Sequence, residues 1–119
     1  MNKGDNPTLH PNALKLVSTF IRNQSYFIVS NRLTVQSFDL FMLIANYHFD
    51  TGKGISCTMM LKQSVYSVCY FKKIYSMLTT LHNQGLVEFI GLGVNNCKLF
   101  APTDKGIKCI NDMLANIDI

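Results

Sequence analysis

The sequence predicts a mainly α fold with a small β-hairpin (α+β): two helices, a short strand, two more helices, the hairpin and a closing helix. Three observations support this fold class. Apolar residues recur at helical spacing along most of the chain, the segment Asp50–Gly54 carries two glycines that end a helix, and residues 86–101 hold two short apolar runs around a turn rich in Gly and Asn. A chain of 119 residues, 48% hydrophobic and 15% charged, has the length of one domain.

The N-terminal region is predicted to change character near Pro11. Residues 1–10, which include Gly4 and Pro7, are expected to form a flexible N-terminus, and residues 11–119 a single domain. From Asn12 to about Asn23 the apolar residues follow helical spacing, which predicts an amphipathic first helix. The stretch SYFIVS that follows is predicted to be an extended connector.

The second and third helices are predicted on either side of a short strand. The second begins after Thr34, whose side chain can cap the free backbone amides, and ends at Asp50–Gly54. Only a thin polar stripe interrupts its apolar residues, so it is expected to lie at the centre of the core. Ile55 is expected to add a short strand, and Ser56 to cap a third helix, CTMMLKQSV, whose two methionines and Leu61 face inward.

The fourth helix, which ends at Gly85, has the clearest periodicity in the chain. Steps of about 100° per residue separate its apolar residues from its polar residues. The predicted packing side holds Phe71, Ile74, Leu78 and Leu81, and the polar side holds Lys72, Ser76, Thr79, Thr80 and Asn83, with Lys73 at its edge. One face is therefore expected to pack against the core and the other to stay bare.

A β-hairpin is predicted after this helix, with strands at Leu86–Leu92 and Cys97–Ala101 around a turn at Gly91–Asn96. Pro102 ends the second strand and Thr103 caps the last helix, whose apolar stripe holds Ile107, Ile110, Met113 or Leu114, and Ile117. Two helices joined by a tight turn and followed by a hairpin wing describe a winged helix-turn-helix with flanking terminal helices.

Three motifs follow one another along the chain: LTVQSF at Leu33–Phe38, LHNQGLV at Leu81–Val87 and FAPTDKG at Phe100–Gly106. Their order and spacing resemble the multiple-antibiotic-resistance (MarR) family of transcriptional regulators, over residues 14 to 114. The resemblance implies sequence-specific binding of double-stranded DNA by a homodimer on a palindromic operator, and a bacterial or phage origin. No cofactor is expected. The resemblance also implies a small aromatic effector, for which Phe20, Tyr26, Phe27, Phe41 and Tyr47 are candidate contacts, although the same aromatics fit an ordinary core.

The resemblance implies that the fourth helix reads the major groove. The polar face of this helix is consistent with that role, because Lys and Ser side chains can hold phosphates while the first residues of the helix reach base edges. The residues expected to contact DNA are Lys62, Ser67, Tyr70, Lys72, Lys73, Ser76, Thr79, Asn95, Asn96 and Lys98. The dimer interface is expected on the terminal helices, at Leu14, Val17, Phe20, Ile21, Ile107, Ile110, Met113, Leu114 and Ile117.

The wing departs from the family pattern, in which an acidic residue and arginines usually stand near the hairpin tip. Here the tip reads GLGVNN, and Lys98 is the only cation in the hairpin. Asn95 and Asn96 are able to hydrogen-bond to DNA, but they equally supply the positive φ angles that the turn needs.

The charge pattern permits DNA binding without proving it. The net charge is +4, the pI is near 8.9, and no acidic residue lies between Asp50 and Glu88. Because such a surface attracts an acidic protein as well as phosphate, the alternative function is a protein-binding winged-helix module or an accessory factor of a mobile element or phage. Tyr66, Tyr70 and Tyr75 would then be its aromatic anchors.

Other functional classes find little support. Glu88 is the only glutamate, and the chain has neither a G-x-S-x-G elbow nor a G-x-x-x-x-G-K-S/T phosphate loop, so an enzyme is not expected. The cysteines and histidines lack metal-ligand spacing, and the thiols are expected to be reduced and mostly buried; oxidation of Cys69 near the reader helix is the alternative. No apolar run approaches the roughly 20 residues of a membrane span, and a cytoplasmic location is expected.

Overall fold

The computed structural model describes residues 8, 10–63 and 71–115, and these residues form helices around a small antiparallel sheet. In chain order the elements are α1 (Pro11–Ser30), α2 (Val35–Thr51), β1 (Ile55–Ser56), α3 (Cys57–Gln63), α4 (Phe71–Asn83), β2 (Val87–Leu92), β3 (Lys98–Pro102) and α5 (Asp104–Leu114). The strand order is β1-β3-β2, and a short 3-10 turn joins β2 to β3. The predicted α+β winged helix-turn-helix is confirmed.

The first helix is longer than the sequence predicted. α1 continues through SYFIVS to Ser30, so the prediction of an extended connector there was wrong. Phe27 explains the difference: its side chain is 4% exposed, and its ring centroid lies 5.4 Å from that of Phe38 and 5.7 Å from that of Phe41. Because most helical stability in proteins comes from packing rather than intrinsic propensity, burial of this ring holds the last turns of α1 in place.

α2 forms the centre of the core, as predicted. The Thr34 hydroxyl accepts a hydrogen bond from the Ser37 backbone N–H at 3.1 Å, which caps the helix, and Gly52 ends it at a left-handed φ of 70°. The Thr34 hydroxyl in turn donates to the buried Ser37 hydroxyl at 3.0 Å. The buried apolar side chains of this helix are Phe38, Leu40, Phe41, Ile44 and Ala45.

The sheet ties the start of α3 to the wing. In β1, the buried Ile55 lies opposite Phe100 and Ser56 lies opposite Leu99. The Ser56 hydroxyl accepts from the Met59 backbone N–H at 3.2 Å and so caps α3, as predicted. The β1–β3 pairing therefore fixes where α3 begins relative to the hairpin.

α5 closes the fold against the junction of α4 and β2. The Thr103 hydroxyl caps α5 by accepting from the Gly106 N–H at 2.9 Å, and it donates to the Gly85 carbonyl oxygen. A Cβ added at Gly106 would overlap the Leu86 carbonyl oxygen, so only glycine allows this approach. At the other end of α5, the Asn23 side-chain amide donates to the Met113 carbonyl oxygen at 3.0 Å. These bonds join the terminal helices to the winged-helix core.

The length and hydropathy of the helices also bear on membrane insertion. In the part of the chain that the structure describes, no single helix is both long and apolar enough to cross a bilayer. α1 and α2 pass the same test only when they are joined, and the bend between them is 104°.

Candidate nucleic-acid interface

The polar face of α4 is exposed, while its opposite face is buried. Ile74, Leu78 and Leu81 are buried as predicted, together with Met77. Phe71 was also predicted to pack, but this was wrong, because its side chain is 47% exposed. Along α4 the packed stripe begins one turn after Phe71, at Ile74. The apolar face fixes the orientation of the helix, and the polar side chains are left in solvent.

Four predicted contact residues lie on this outward face: Lys72, Lys73, Ser76 and Thr79 are all exposed. The Thr79 hydroxyl donates to the Tyr75 carbonyl oxygen at 2.9 Å, so its hydrogen is used within the helix while its oxygen can still accept. The two lysines occupy the first turn of α4. A row of cations followed by hydroxyl groups thus runs along one side of the helix.

Further cations stand on neighbouring elements. Lys62 is exposed in the last turn of α3, and Lys98 is exposed on β3. Residues 51–87, which include Lys62, Lys72 and Lys73, contain no Asp or Glu. Ser67 and Tyr70, the other predicted contacts near this helix, lie outside the described residues, as do Tyr66 and Cys69.

Tyr75 lies on α4, near the start of α3. Its side chain is 48% exposed, and its hydroxyl lies near the Cys57 thiol at the start of α3. The neighbouring Cys57 thiol raises the pKa of Tyr75, and burial is the main cause that raises the pKa of Cys57. Cys97 and Lys98 lie close enough to Cys57 to act on it electrostatically. The sequence suggested Tyr75 only as a protein anchor and gave no signal for this junction.

The tip of the wing is a tight turn that exposes apolar side chains. Asn95 and Asn96 have φ angles of 57° and 58°, so the turn geometry accounts for both residues. Val94 is 84% exposed and Leu92 is 58% exposed. A DNA contact by the two asparagines stays a prediction, and the exposed apolar side chains of the tip were not among the predicted contacts.

The predicted dimer residues fall into two groups. On α1, Leu14, Val17 and Ile21 recur at helical spacing with 51%, 53% and 53% of their side chains exposed, and Phe20 is half-buried beside them. On α5, Ile110 and Met113 are already buried within the chain, while Ile107 and Leu114 are half-buried. Ile117 lies outside the described residues. The exposed apolar surface that a partner would cover is therefore on α1.

A cavity of about 390 Å³ opens between α1 and α5. Of the five aromatic residues considered as effector contacts, Tyr26 and Phe27 line it, whereas Phe41 is fully buried in the core and Phe20 and Tyr47 pack against that core. The other lining residues are Asn23, Ser30, Asn31, Cys109, Asp112 and Met113. The cavity thus combines one aromatic wall with several polar groups.

Comparison with known proteins gives matches only to solved structures: no family model and no curated protein matches this sequence. One match is a MarR-family transcriptional regulator from Rhodococcus sp. RHA1, with a TM-score of 0.59 and 19% identity over 87% of this chain and 69% of that chain. The chain has the MarR-like winged-helix fold. NadR, solved in complex with 4-hydroxyphenylacetate, has a TM-score of 0.59 and 14% identity over 99% of this chain and 79% of its own.

The transcriptional repressor CouR, solved on a 23-mer DNA duplex, has a TM-score of 0.57 and 19% identity over 92% of this chain and 75% of its own. The Rhodococcus protein is thus a transcriptional regulator, and CouR is a transcriptional repressor. At 14–19% identity these similarities concern the fold and assign no role to the residues of the α4 face.

Proposed function

We propose that this protein is a transcriptional regulator that binds double-stranded DNA in a sequence-specific manner through the polar face of α4. The observation that carries the proposal is the orientation of α4: Ile74, Leu78 and Leu81 are buried, so Lys72 and Lys73 point away from the core. The MarR-like fold places a wing beside this helix, and CouR, which shares the fold, binds a DNA duplex.

The chemistry of α4 suits the major groove. An α-helix fits this groove, lysine side chains can hold phosphates, and hydroxyl groups such as those of Ser76 and Thr79 can meet base edges or phosphates. With few cations on this surface, namely Lys62, Lys72, Lys73 and Lys98, electrostatic attraction is modest. Binding is therefore expected to weaken early as salt rises.

Selection of bound sequences from a random duplex library tests this function directly. Enrichment of one motif, followed by a gel-shift that weakens with salt, is the expected result. If no duplex is retained even at low salt, the protein does not act on DNA by itself. The alternative function, a protein-binding module or accessory factor, would then be favoured, since Tyr75 and the apolar wing tip would also suit a protein partner.

We also propose that the protein acts as a homodimer on a palindromic operator, with the exposed apolar face of α1 in the interface. Leu14, Val17 and Ile21 form a stripe that one chain leaves uncovered, and such stripes mark association surfaces. A two-fold dimer would present two α4 helices to two half-sites. An inverted repeat in the selected motif would support this arrangement.

Sedimentation of a matched pair of variants tests the interface. Val17→Asp should convert the dimer to a monomer, whereas Val35→Asp should leave it unchanged, because Val17 and Val35 are similarly exposed at 53% and 55% but only Val17 lies on the α1 stripe. Circular dichroism checks that both variants are folded. A wild-type protein that stays monomeric at high concentration would overturn the proposal, and so would equal behaviour of the two variants.

The cavity between α1 and α5 favours a second property, binding of a small aromatic effector. Its volume of about 390 Å³ lies within the usual range for small-molecule sites, and the Tyr26 and Phe27 side chains can contact an aromatic ring. NadR, which shares the fold, binds 4-hydroxyphenylacetate. A thermal-shift screen with aromatic acids, phenols and amines should find a stabilising ligand whose effect disappears in Ser30→Phe, which fills the cavity. An effect that persists in this variant would place the ligand elsewhere.

A further inference from the structure

Two asparagines that line the cavity between α1 and α5 have their side-chain amides fixed by the protein. The Asn23 amide nitrogen donates to the Met113 carbonyl oxygen at 3.0 Å, and the Asn31 amide nitrogen donates to the Phe27 carbonyl oxygen at 3.0 Å. Because a backbone carbonyl only accepts hydrogen bonds, the nitrogen of each side chain must be the atom that faces it. The side-chain oxygen of each asparagine is thus left to accept a hydrogen bond from another molecule.

The charge at the cavity is negative. Of the lining residues that the structure describes, Asp112 alone is charged, and it lies in the last turn of α5. Lys108, one turn earlier on the same helix, is not among these lining residues. Residues 109–119 contain two aspartates and no Lys, Arg or His. The cavity therefore differs in sign from the whole chain, whose net charge is +4.

The ends of two helices add to this negative potential. α1 ends at Ser30 and α5 ends at Leu114, and the last turns of both helices contribute lining residues. Carbonyl groups at the C-terminal end of a helix carry a partial negative charge, which favours a cation nearby. Neither α1 nor α5 has a basic residue in its last turn. A bound cation would supply the positive charge that these two helix ends lack.

The apolar part of the cavity suits an aromatic ring. Phe27 is buried and Tyr26 is exposed, so one ring of the lining is fixed in the core and the other is reached from solvent. A cation is attracted to the face of such a ring. The volume of about 390 Å³ accommodates a single ring with a short side chain. Aromatic and positively charged groups can therefore be held here in one ligand.

We infer that this cavity selects a cationic aromatic ligand, in which a protonated amine is joined to the ring by a short chain, and disfavours aromatic carboxylates. The inference rests on the proposed effector site. An ammonium group donates three hydrogen bonds and accepts none, so it matches the Asp112 carboxylate and the side-chain oxygens of Asn23 and Asn31. A ligand carboxylate would instead meet Asp112 and two helix ends of its own sign. The ligand class therefore differs from 4-hydroxyphenylacetate, the compound in complex with NadR.

Isothermal titration calorimetry of the full chain with three probes of similar size tests the selection by charge. The probes are 2-phenylethylammonium, the neutral 2-phenylethanol and the anionic phenylacetate. Wild type should bind the ammonium most tightly and phenylacetate most weakly. Because the net charge of the chain is +4, attraction by the protein as a whole would favour the anion. The expected order therefore reports on the cavity.

Asp112→Asn removes the charge of this side chain and keeps its shape. Because Asp112 is exposed, its ion pair is of the surface kind, and the variant should bind the ammonium about fivefold more weakly than wild type. Its affinity for 2-phenylethanol should equal that of wild type, which checks that the cavity is intact, and its affinity for phenylacetate should rise. The matched control is Asp104→Asn, which removes an exposed aspartate from the first turn of the same helix and should bind all three probes as wild type does.

The effector site and its selection by charge fail in different ways. If phenylacetate or the alcohol binds as tightly as the ammonium, or if Asp112→Asn leaves the order unchanged, the inference is wrong while the effector site stands. Ammonium binding that persists in Ser30→Phe, which fills the cavity, would also overturn the inference, and so would a carboxylate ligand from the thermal-shift screen that is lost in this variant. If neither the probes nor any compound of that screen binds, the effector site itself is wrong.

Discussion

Phe27→Ala is expected to destabilise the protein severely, although the sequence suggested that this residue lies in an extended connector. Its ring is 4% exposed and contacts two other core rings, those of Phe38 and Phe41. Truncation of a buried Phe to Ala usually costs 3–5 kcal/mol, and we expect about 4 kcal/mol here. For a domain of this size that corresponds to a fall in Tm of roughly 15 °C.

Thermal denaturation followed by circular dichroism measures this effect, with Tyr26→Ala as the matched control. Tyr26 is the preceding aromatic residue of α1, but 77% of its side chain is exposed, so its truncation should change Tm by no more than a few degrees. Similar Tm values for the two variants would show that α1 does not pack through Phe27. Core burial of Phe27 would then not explain why α1 extends to Ser30.

Two further predictions concern the junctions of the fold. Gly106→Ala should lower the free energy of unfolding, measured by urea denaturation, by about 3 kcal/mol, since its Cβ would overlap the Leu86 carbonyl. Gly52→Ala should lower it by about 1 kcal/mol, because that site is open and carries only the left-handed φ of 70°. Equal losses in the two variants would contradict the close approach of Gly106 to Leu86. Burial raises the pKa of Cys57 above its ordinary value of 9.0, so the protonated thiol contributes stability that is fully present below about pH 9 and is lost as pH rises through the folded-state pKa. Between about pH 7.5 and about pH 9.5, the Tm of Cys57→Ala should therefore fall less than the Tm of wild type. Parallel curves of Tm against pH for the two proteins would argue against a buried thiol.

The order of elements was predictable because the local signals agree with the tertiary structure. Thr34 and Thr103 cap the helices as predicted, and Gly52 and Gly85 have the positive φ angles expected after a helix. On α4, the alternation of apolar and polar residues gave the correct outward face. At these positions the residue's own chemistry decides its conformation, so one sequence is enough.

The predictions failed where distant residues decide the outcome. The connector prediction at SYFIVS missed that Phe27 completes a ring cluster with α2, a contact that no local pattern reveals. Phe71 continues the apolar spacing of α4 but lies beyond the packed stripe. The proximity of Tyr75 to Cys57 and the cavity beside Asp112 both involve segments far apart in the chain, so they emerge only once the helices are placed.

The most direct measurement of the central proposal is the salt dependence of duplex binding by the Lys72→Ala/Lys73→Ala double variant. Its matched control is Lys15→Ala/Lys108→Ala, which removes two exposed lysines from α1 and α5. We predict that the α4 variant binds the selected duplex more weakly than wild type. The slope of log affinity against log salt should be smaller in magnitude by about 2 for each chain bound. The control variant should match wild type in both affinity and slope. Unchanged affinity and slope in the α4 variant would contradict the assignment of this helix face to DNA.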